Sequence, residues 1–362
     1  MKENFFLCLG RRAAAVMLLL APVLAASGQV LPEPGAVCRL VNVATGKAIS
    51  NGDNPENDAA IVLADVSEAS AGQRWALWQV RADGGWLVYN PASRGGIDMA
   101  LQLGSGRLLQ WTATASDNQL FCLEPVDGLD DTYRMVCQAE PELMLAASAS
   151  GDLVLTAAPA TAESAHFRFD ALGESHTITW PVEGMFFRVK SRMSGKVLSN
   201  RGVAENDALI YTDKPVEGDD AQEWLLNNGG AAGCFQLVNE PAGKAIDMVL
   251  GKASPLLQWT PNLKNNDNQK IYFTPVEAES DFYTLGSKNG WYITVQNGDI
   301  MRMAEDATAE AAHFSLEPVM GPEVQICPWQ DETIFGINKE PARADFTPYA
   351  STEALRADAA AY

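Results

Sequence analysis

Histidine is almost absent: the 362 residues contain three, too few for a histidine-rich metal centre. Positive charge is also scarce, with 26 Lys and Arg against 46 Asp and Glu, a formal net charge of -20. Such a surface repels phosphate backbones and anionic lipid, which excludes nucleic acid as a default partner. Cysteine is sparse and scattered. Past a leader, Cys38, Cys122, Cys137, Cys234 and Cys327 make an odd set that is no disulfide framework, so the fold must rest on packing. Cys122 and Cys137 flank the turn around Val126–Asp131 and could either bridge a hairpin or serve as small buried apolar residues.

Long apolar runs are missing too, except one. Lys2, Arg11 and Arg12 precede Ala13–Leu24, followed by Ala25, Ala26, Ser27 and Gly28. Twelve apolar residues are short of the ~20 needed to span a bilayer, but they fit a secretory signal peptide over residues 1–27. The expected location is therefore secreted or periplasmic, with no membrane span. Sustained helical periodicity is lacking throughout. The apolar signal comes instead in short runs such as Cys38–Val41, Phe186–Val189 and Phe235–Val238, separated by Gly, Asn, Asp and Pro.

What the chain does contain is repetition. Glu56-Asn57-Asp58-Ala59 recurs as Glu205-Asn206-Asp207-Ala208, Ile97-Asp98-Met99 as Ile246-Asp247-Met248, and Leu109-Gln110-Trp111-Thr112 as Leu257-Gln258-Trp259-Thr260. Asp117-Asn118-Gln119 returns as Asp267-Asn268-Gln269, and Ala-His-Phe closes each copy at 165–167 and 312–314. Offsets of 147 to 150 define two copies of one domain. Each copy subdivides again: Asn42–Ser50 aligns with Asn90–Asp98, and Gly195–Leu198 with Gly243–Ile246, 48 residues on. Third, more diverged units start near Thr132 and Asp281. Units of about 45 residues cannot bury an apolar face alone. Three must close on one another, which predicts an all-β fold with two pseudo-threefold domains.

Each unit ends in a Gln-x-aromatic motif: Gln73-Arg74-Trp75, Gln119-Leu120-Phe121 and Gln222-Glu223-Trp224, decaying to Gln269-Lys270-Ile271, Ala165-His166-Phe167 and Ala312-His313-Phe314. Three such units per domain resemble the ricin B-type lectin family. The resemblance implies two β-trefoil domains in tandem, at 36–170 and 183–320, with a short non-trefoil segment after them. It also implies glycan binding, with galactose-containing glycans expected and a structural-spacer or protein-interaction trefoil as the alternative. In that family an Asp early in the unit and an Asn-Gln pair at its end grip sugar hydroxyls beside an aromatic plate. Only the middle units carry the whole set: Asp98, Trp111, Asn118 and Gln119 in the first domain, and Asp247, Trp259, Asn268 and Gln269 in the second. Elsewhere the Asp position holds Ser50, Ser199, Ala146 or Ala147, or Thr294. The competing reading makes Trp111 and Trp259 core, as Trp75, Trp224 and Phe121 are expected to be. Trp111 lies seven residues before Asn118, whereas Trp259 lies nine before Asn268, so the first site has the shorter loop.

No catalytic set is discernible. No phosphate-cradling glycine loop opens a helix, no nucleophile motif accompanies the histidines, and the motif positions of His166 and His313 read as strand places. The run Asp53, Asn54, Glu56, Asn57, Asp58 lacks EF-hand spacing and reads as a solvated turn. No cofactor and no metal is expected. After Pro322 the character changes: Trp329-Gln330-Asp331-Glu332, then Asn338, Pro341, Arg343 and Phe346. This resembles the opening segment of β-galactosidases of glycoside hydrolase family 2. It implies that 321–362 begins such an enzyme, whose catalytic glutamates would lie on a barrel further downstream. The expectation is a targeting module that carries no catalytic residue itself and has a glycosidase domain as its downstream partner.

Overall fold

The computed structural model describes residues 31–321, apart from 83, 102–106, 249–253, 263–265, 278–279 and 297–299. The signal-peptide expectation for 1–27 and the glycosidase-like stretch after Gly321 lie outside the described residues. Among those residues there are strands and single 3-10 turns but no α-helix, and no helix is long and apolar enough to cross a membrane.

The first copy forms twelve strands, four per unit. Unit one is β1 (Ala36–Asn42), β2 (Ala48–Ser50), β3 (Val62–Ala64) and β4 (Trp75–Arg81). Unit two is β5 (Gly84–Tyr89), β6 (Gly95–Asp98), β7 (Leu109–Thr112) and β8 (Leu120–Pro125). Unit three is β9 (Thr132–Cys137), β10 (Met144–Ala147), β11 (Leu153–Thr156) and β12 (Phe167–Ser175). The outer strands pair in a closed ring, β1–β4–β5–β8–β9–β12 and back to β1. The inner strands make three hairpins, β2–β3, β6–β7 and β10–β11. A six-stranded barrel with three hairpins is a β-trefoil.

The second copy repeats the plan. Its strands are β13 (Phe186–Ser191), β14 (Val197–Ser199), β15 (Tyr211–Asp213), β16 (Trp224–Asn228), β17 (Cys234–Asn239) and β18 (Lys244–Asp247), then β19 (Leu257–Trp259), β20 (Ile271–Pro275), β21 (Tyr283–Gly286), β22 (Tyr292–Val295), β23 (Met301–Ala304) and β24 (His313–Val319). The ring closes through β13–β16–β17–β20–β21–β24–β13. The chain is two β-trefoil domains in tandem.

The motif aromatics fill the barrels. Trp75, Phe121 and Phe167, with Trp224, Ile271 and Phe314, are fully buried. Each is worth about 1.5–3 kcal/mol of burial. The two indoles are also satisfied as donors, Trp75 Nε1 to the Ile49 carbonyl at 2.9 Å and Trp224 Nε1 to that of Leu198 at 3.1 Å. The motif glutamine closes its own unit's loop. Gln73 donates to the Asp65 carbonyl and accepts from Ser67 N–H, and Gln222 does the same with Lys214 and Val216.

The domains share one core. Ile178, Trp180 and Val182 of the connecting segment are buried between Val80, Leu87 and Tyr89 of the first barrel and residues of the second. Tyr89 hydroxyl donates to the His176 carbonyl at 2.9 Å, Trp180 meets Tyr89 edge-on at 5.7 Å, and Arg94 stacks over Trp180 at 4.9 Å. Arg81 forms a paired contact with Glu240 across the junction, and Gly321 exchanges backbone bonds with Val80 and Ala82.

The two readings of Cys122 and Cys137 are separated here, against the bridge. The β8–β9 register sets Phe121 opposite Cys137 and Cys122 opposite Val136. Directly opposed residues share a face, so Cys122 and Cys137 point to opposite faces and cannot bridge. Cys137 is a small core residue, and burial pushes its thiol up from the ordinary range. A reducing agent should therefore leave the melting temperature of the trefoil region unchanged, as differential scanning fluorimetry with and without dithiothreitol would show.

His176 carries a second expectation. Burial, then the nearby Arg94 charge, holds its pKa below the ordinary value near 6.5. A depressed histidine stabilises the fold fully above its unfolded pKa, and that contribution is lost as pH falls through the folded one. Melting curves from pH 7.5 to 5 should thus fall less steeply for His176→Gln than for the wild type. Parallel pH profiles would remove His176 as a contributor.

Candidate functional site

The two middle-unit hairpins each carry a shallow cavity. In β6–β7 the register pairs Asp98 with Leu109 and Gly96 with Trp111, which puts the carboxylate and the indole on one face. In β18–β19 it pairs Asp247 with Leu257 and Ala245 with Trp259, to the same effect. Trp111 and Trp259 are each 40 % exposed, against 0 % for Trp75 and Trp224. The core reading of the former pair does not hold. They are outward plates beside cavities of about 490 and 280 Å³.

The floor of the first cavity is a compensated carboxylate. Asp98 is buried, and it accepts from Ala100 N–H at 2.7 Å, Asn118 Nδ2 at 2.9 Å and Gln119 Nε2 at 3.0 Å. Three donors offset the cost of removing the charge from water. A carboxylate offers about four acceptor sites, which leaves one for an outside hydroxyl. Gln119 is spent internally: it donates also to the Thr112 carbonyl and accepts from Thr114 N–H. Asn118 gives one N–H to Asp98, its carbonyl oxygen accepts from Ser116, and the second N–H of its amide remains to be offered. The four expected residues are thus brought together, with Gln119 as a positioning group and Asp98, Asn118 and Trp111 as those able to meet a ligand.

The second site is a variant. Asp247 Oδ2 accepts from Asn266 Nδ2 at 3.1 Å and Gln269 Nε2 at 3.5 Å. Gln269 bonds the Thr260 carbonyl and Asn262 N–H, mirroring Gln119, so the two residues added to this loop leave its closure intact. Asn268 lines the cavity and its backbone carbonyl takes Met248 N–H. Asn266 has no amide counterpart in the first domain, where Ser116 occupies the place before the 3-10 turn.

Other units lack the set. Ser50 and Ser199 accept the same i+2 N–H bond that Asp98 takes from Ala100, from Gly52 and Arg201 at 3.0 Å each, but have no second oxygen for a glutamine to grip. Ala146 and Ala147 are buried, as is Thr294. His313 is also buried, with Nε2 3.0 Å from the Ala307 carbonyl, a structural place as expected. Among the described residues no cluster of His, Cys, Asp and Glu is arranged to hold a metal ion.

Asp58 and Asp207, which no sequence motif marks as site residues, line the first and second cavities. Both belong to the repeated Glu-Asn-Asp-Ala tetrad and are exposed, with positive φ of 65° and 64°. The run around Asp58 is a solvated turn, as expected, but it is pinned across the neighbouring unit. Asp58 N–H bonds the Gln110 carbonyl at 3.0 Å, and Asn57 Oδ1 accepts from Thr112 N–H at 2.7 Å. Gln110, fully buried, donates to the Asn54 and Glu56 carbonyls and accepts from Asn51 and Ser93. Gln258 repeats this with Val203, Glu205 and Asn200. The glutamine in Leu-Gln-Trp-Thr is thus the peg that holds a first-unit loop against the second-unit site. Its presence beside the tryptophan, twice, was the available signal.

Gln110→Leu should strand two backbone carbonyls and cost about 2–3 kcal/mol, read as a lowered urea midpoint, with Gln258→Leu similar in the second domain. An unchanged midpoint would mean water replaces the amide without loss.

No protein-family model matches the sequence, and no curated protein matches it. Solved structures do match. A designed 3-fold symmetric protein, ThreeFoil, is 21% identical with a TM-score of 0.34, covering 37% of this chain and 99% of that one. A ricin B-like lectin of Macrolepiota procera, solved in complex with lactose, is 11% identical with a TM-score of 0.32, covering 38% and 99%. A lectin of Polyporus squamosus, bound to a human-type influenza-binding epitope, is 16% identical at 0.32, covering 38% and 50%. The fold assignment stands on the ring closure of the strands.

Proposed function

We propose that the chain is a carbohydrate-binding module with one glycan site per trefoil. The observation that carries this is the exposed tryptophan set beside an amide-held carboxylate on a hairpin face, built twice. A sugar ring offers an apolar C–H face to stack on the indole, and hydroxyls that donate to Asp98 or Asp247 and accept from the asparagine amide. A site of this kind grips by stacking and hydrogen bonds, each modest. Two such sites on one molecule strengthen the hold on a multivalent glycan by effective concentration. The charge of -20 directs the module away from polyanions and toward neutral glycans.

The finer reading rests on the sequence: its resemblances suggest galactose-containing glycans as ligand and a β-galactosidase downstream that the module holds near its substrate, and the layout of its leader suggests export. On this reading the present residues supply binding and no chemistry.

A glycan array probed with residues 31–321 tests it, beside the variants Trp111→Ala, Asp98→Ala, Trp259→Ala and Asp247→Ala. Each substitution should weaken its own site about ten- to hundredfold, or about 1–3 kcal/mol, with the circular dichroism spectrum retained. Binding to no glycan would leave the trefoils as a spacer or a protein-interaction module.

A further inference from the structure

The two cavities differ in one wall. The first is lined by Glu183 as well as by residues of its own trefoil, whereas every described residue lining the second belongs to the second trefoil. Glu183 lies on the connecting segment and is held from both sides. Its backbone carbonyl accepts Ala115 N–H at 2.6 Å, from the loop that carries Thr114 and Ser116. Its carboxylate Oε2 accepts from Asn228 Nδ2 at 3.0 Å, at the end of β16. The next residue, Gly184, has φ +81°, and a Cβ there would sit 3.0 Å from that of Ala115, so the segment approaches as closely as backbone allows. Val182, just before, is buried in the shared core. Oε1 is left as an acceptor on a rim that cannot readily swing away.

We infer that the first site is a two-domain site that takes a saccharide one residue longer than the second does. The sugar on Trp111 is extended toward Glu183, which accepts a hydroxyl of a neutral second residue. This rests on the glycan reading above and adds substrate length and charge to it. Asp58, Asp98 and Glu183 surround the first cavity with negative charge, so a carboxylate on the second residue is repelled. The second site, with Asp207 and Asp247 but no such wall among its described lining residues, reads a single sugar.

Calorimetric titration of the full chain with galactose, lactose and lactobionate tests this, using Trp259→Ala to silence the second site. Lactose should bind about tenfold tighter than galactose, and lactobionate weaker than lactose, the scale of one added hydrogen bond to a charged group. Glu183→Ala should bring the lactose-to-galactose ratio toward one, and Glu183→Gln should keep that ratio while admitting lactobionate. Asn228→Ala, which releases the carboxylate without removing it, should give an intermediate ratio and guards against misfolding of the first variant. In the Trp111→Ala background the ratio should be near one and indifferent to Glu183. A ratio unaffected by Glu183→Ala, with galactose still bound, overturns the inference and leaves the glycan reading standing. Failure of all three sugars to bind the chain with both tryptophans overturns the galactoside reading and this inference together.

Discussion

Ring closure is the constraint on which everything else depends. The outer strands of a unit bond mostly to strands of other units, so β1 is satisfied only when β12, some 130 residues later, returns to it. No unit has a sheet of its own to fold onto, and a trefoil with one unit missing would expose two strand edges and an open barrel. Buried side-chain amides enforce the closure. Asn42 bonds the Ser164 carbonyl, joining the first unit to the third, and Asn90 bonds those of Ala71 and Arg74, joining the second to the first. Asn239 does the same for the second domain, to Asp220 and Glu223. Removed from water, such amides are costly unless fully bonded, so they tolerate only one register.

The site is a by-product of this interlocking. A first-unit loop must reach across to the middle unit, and Gln110 or Gln258 receives it. That contact brings a second carboxylate, Asp58 or Asp207, to the rim of a cavity whose floor belongs to another unit. Where the early Asp is replaced by Ser50 or Ser199, the turn bond survives and the scaffold is untouched. The Asp-Trp-Asn-Gln set can therefore be missing from four of six units without loss of fold.

Much of this is legible in the sequence. The phased repeats and the motif aromatics carry the all-β threefold plan, because a trefoil writes its symmetry directly into sequence spacing. The Asp-Trp-Asn-Gln sets could be picked out for the same reason. What stayed hidden depends on contacts between units or domains, which spacing does not encode. Asp58 and Asp207 sat in a tetrad whose composition suggests only solvent. Asn266 substitutes for a partner that its alignment with Ser116 gives no reason to expect. Glu183 stands where the first copy has Pro34 and belongs to none of the repeated motifs, so comparing the motifs could not single it out. The cysteine pair was undecidable from the turn alone, because one residue of register separates a shared face from opposite ones.

The buried connecting segment has a geometric consequence. With Ile178, Trp180 and Val182 packed into a core common to both barrels, the two tryptophan plates are fixed in separation and in angle. A tether would let each head search independently; this junction makes the pair a ruler. On the proposed glycan reading, a polymer or surface whose sugars repeat at the matching interval is held at both points, and one with another interval is held at one. Selectivity on that reading resides partly in neither cavity, but in the distance between them.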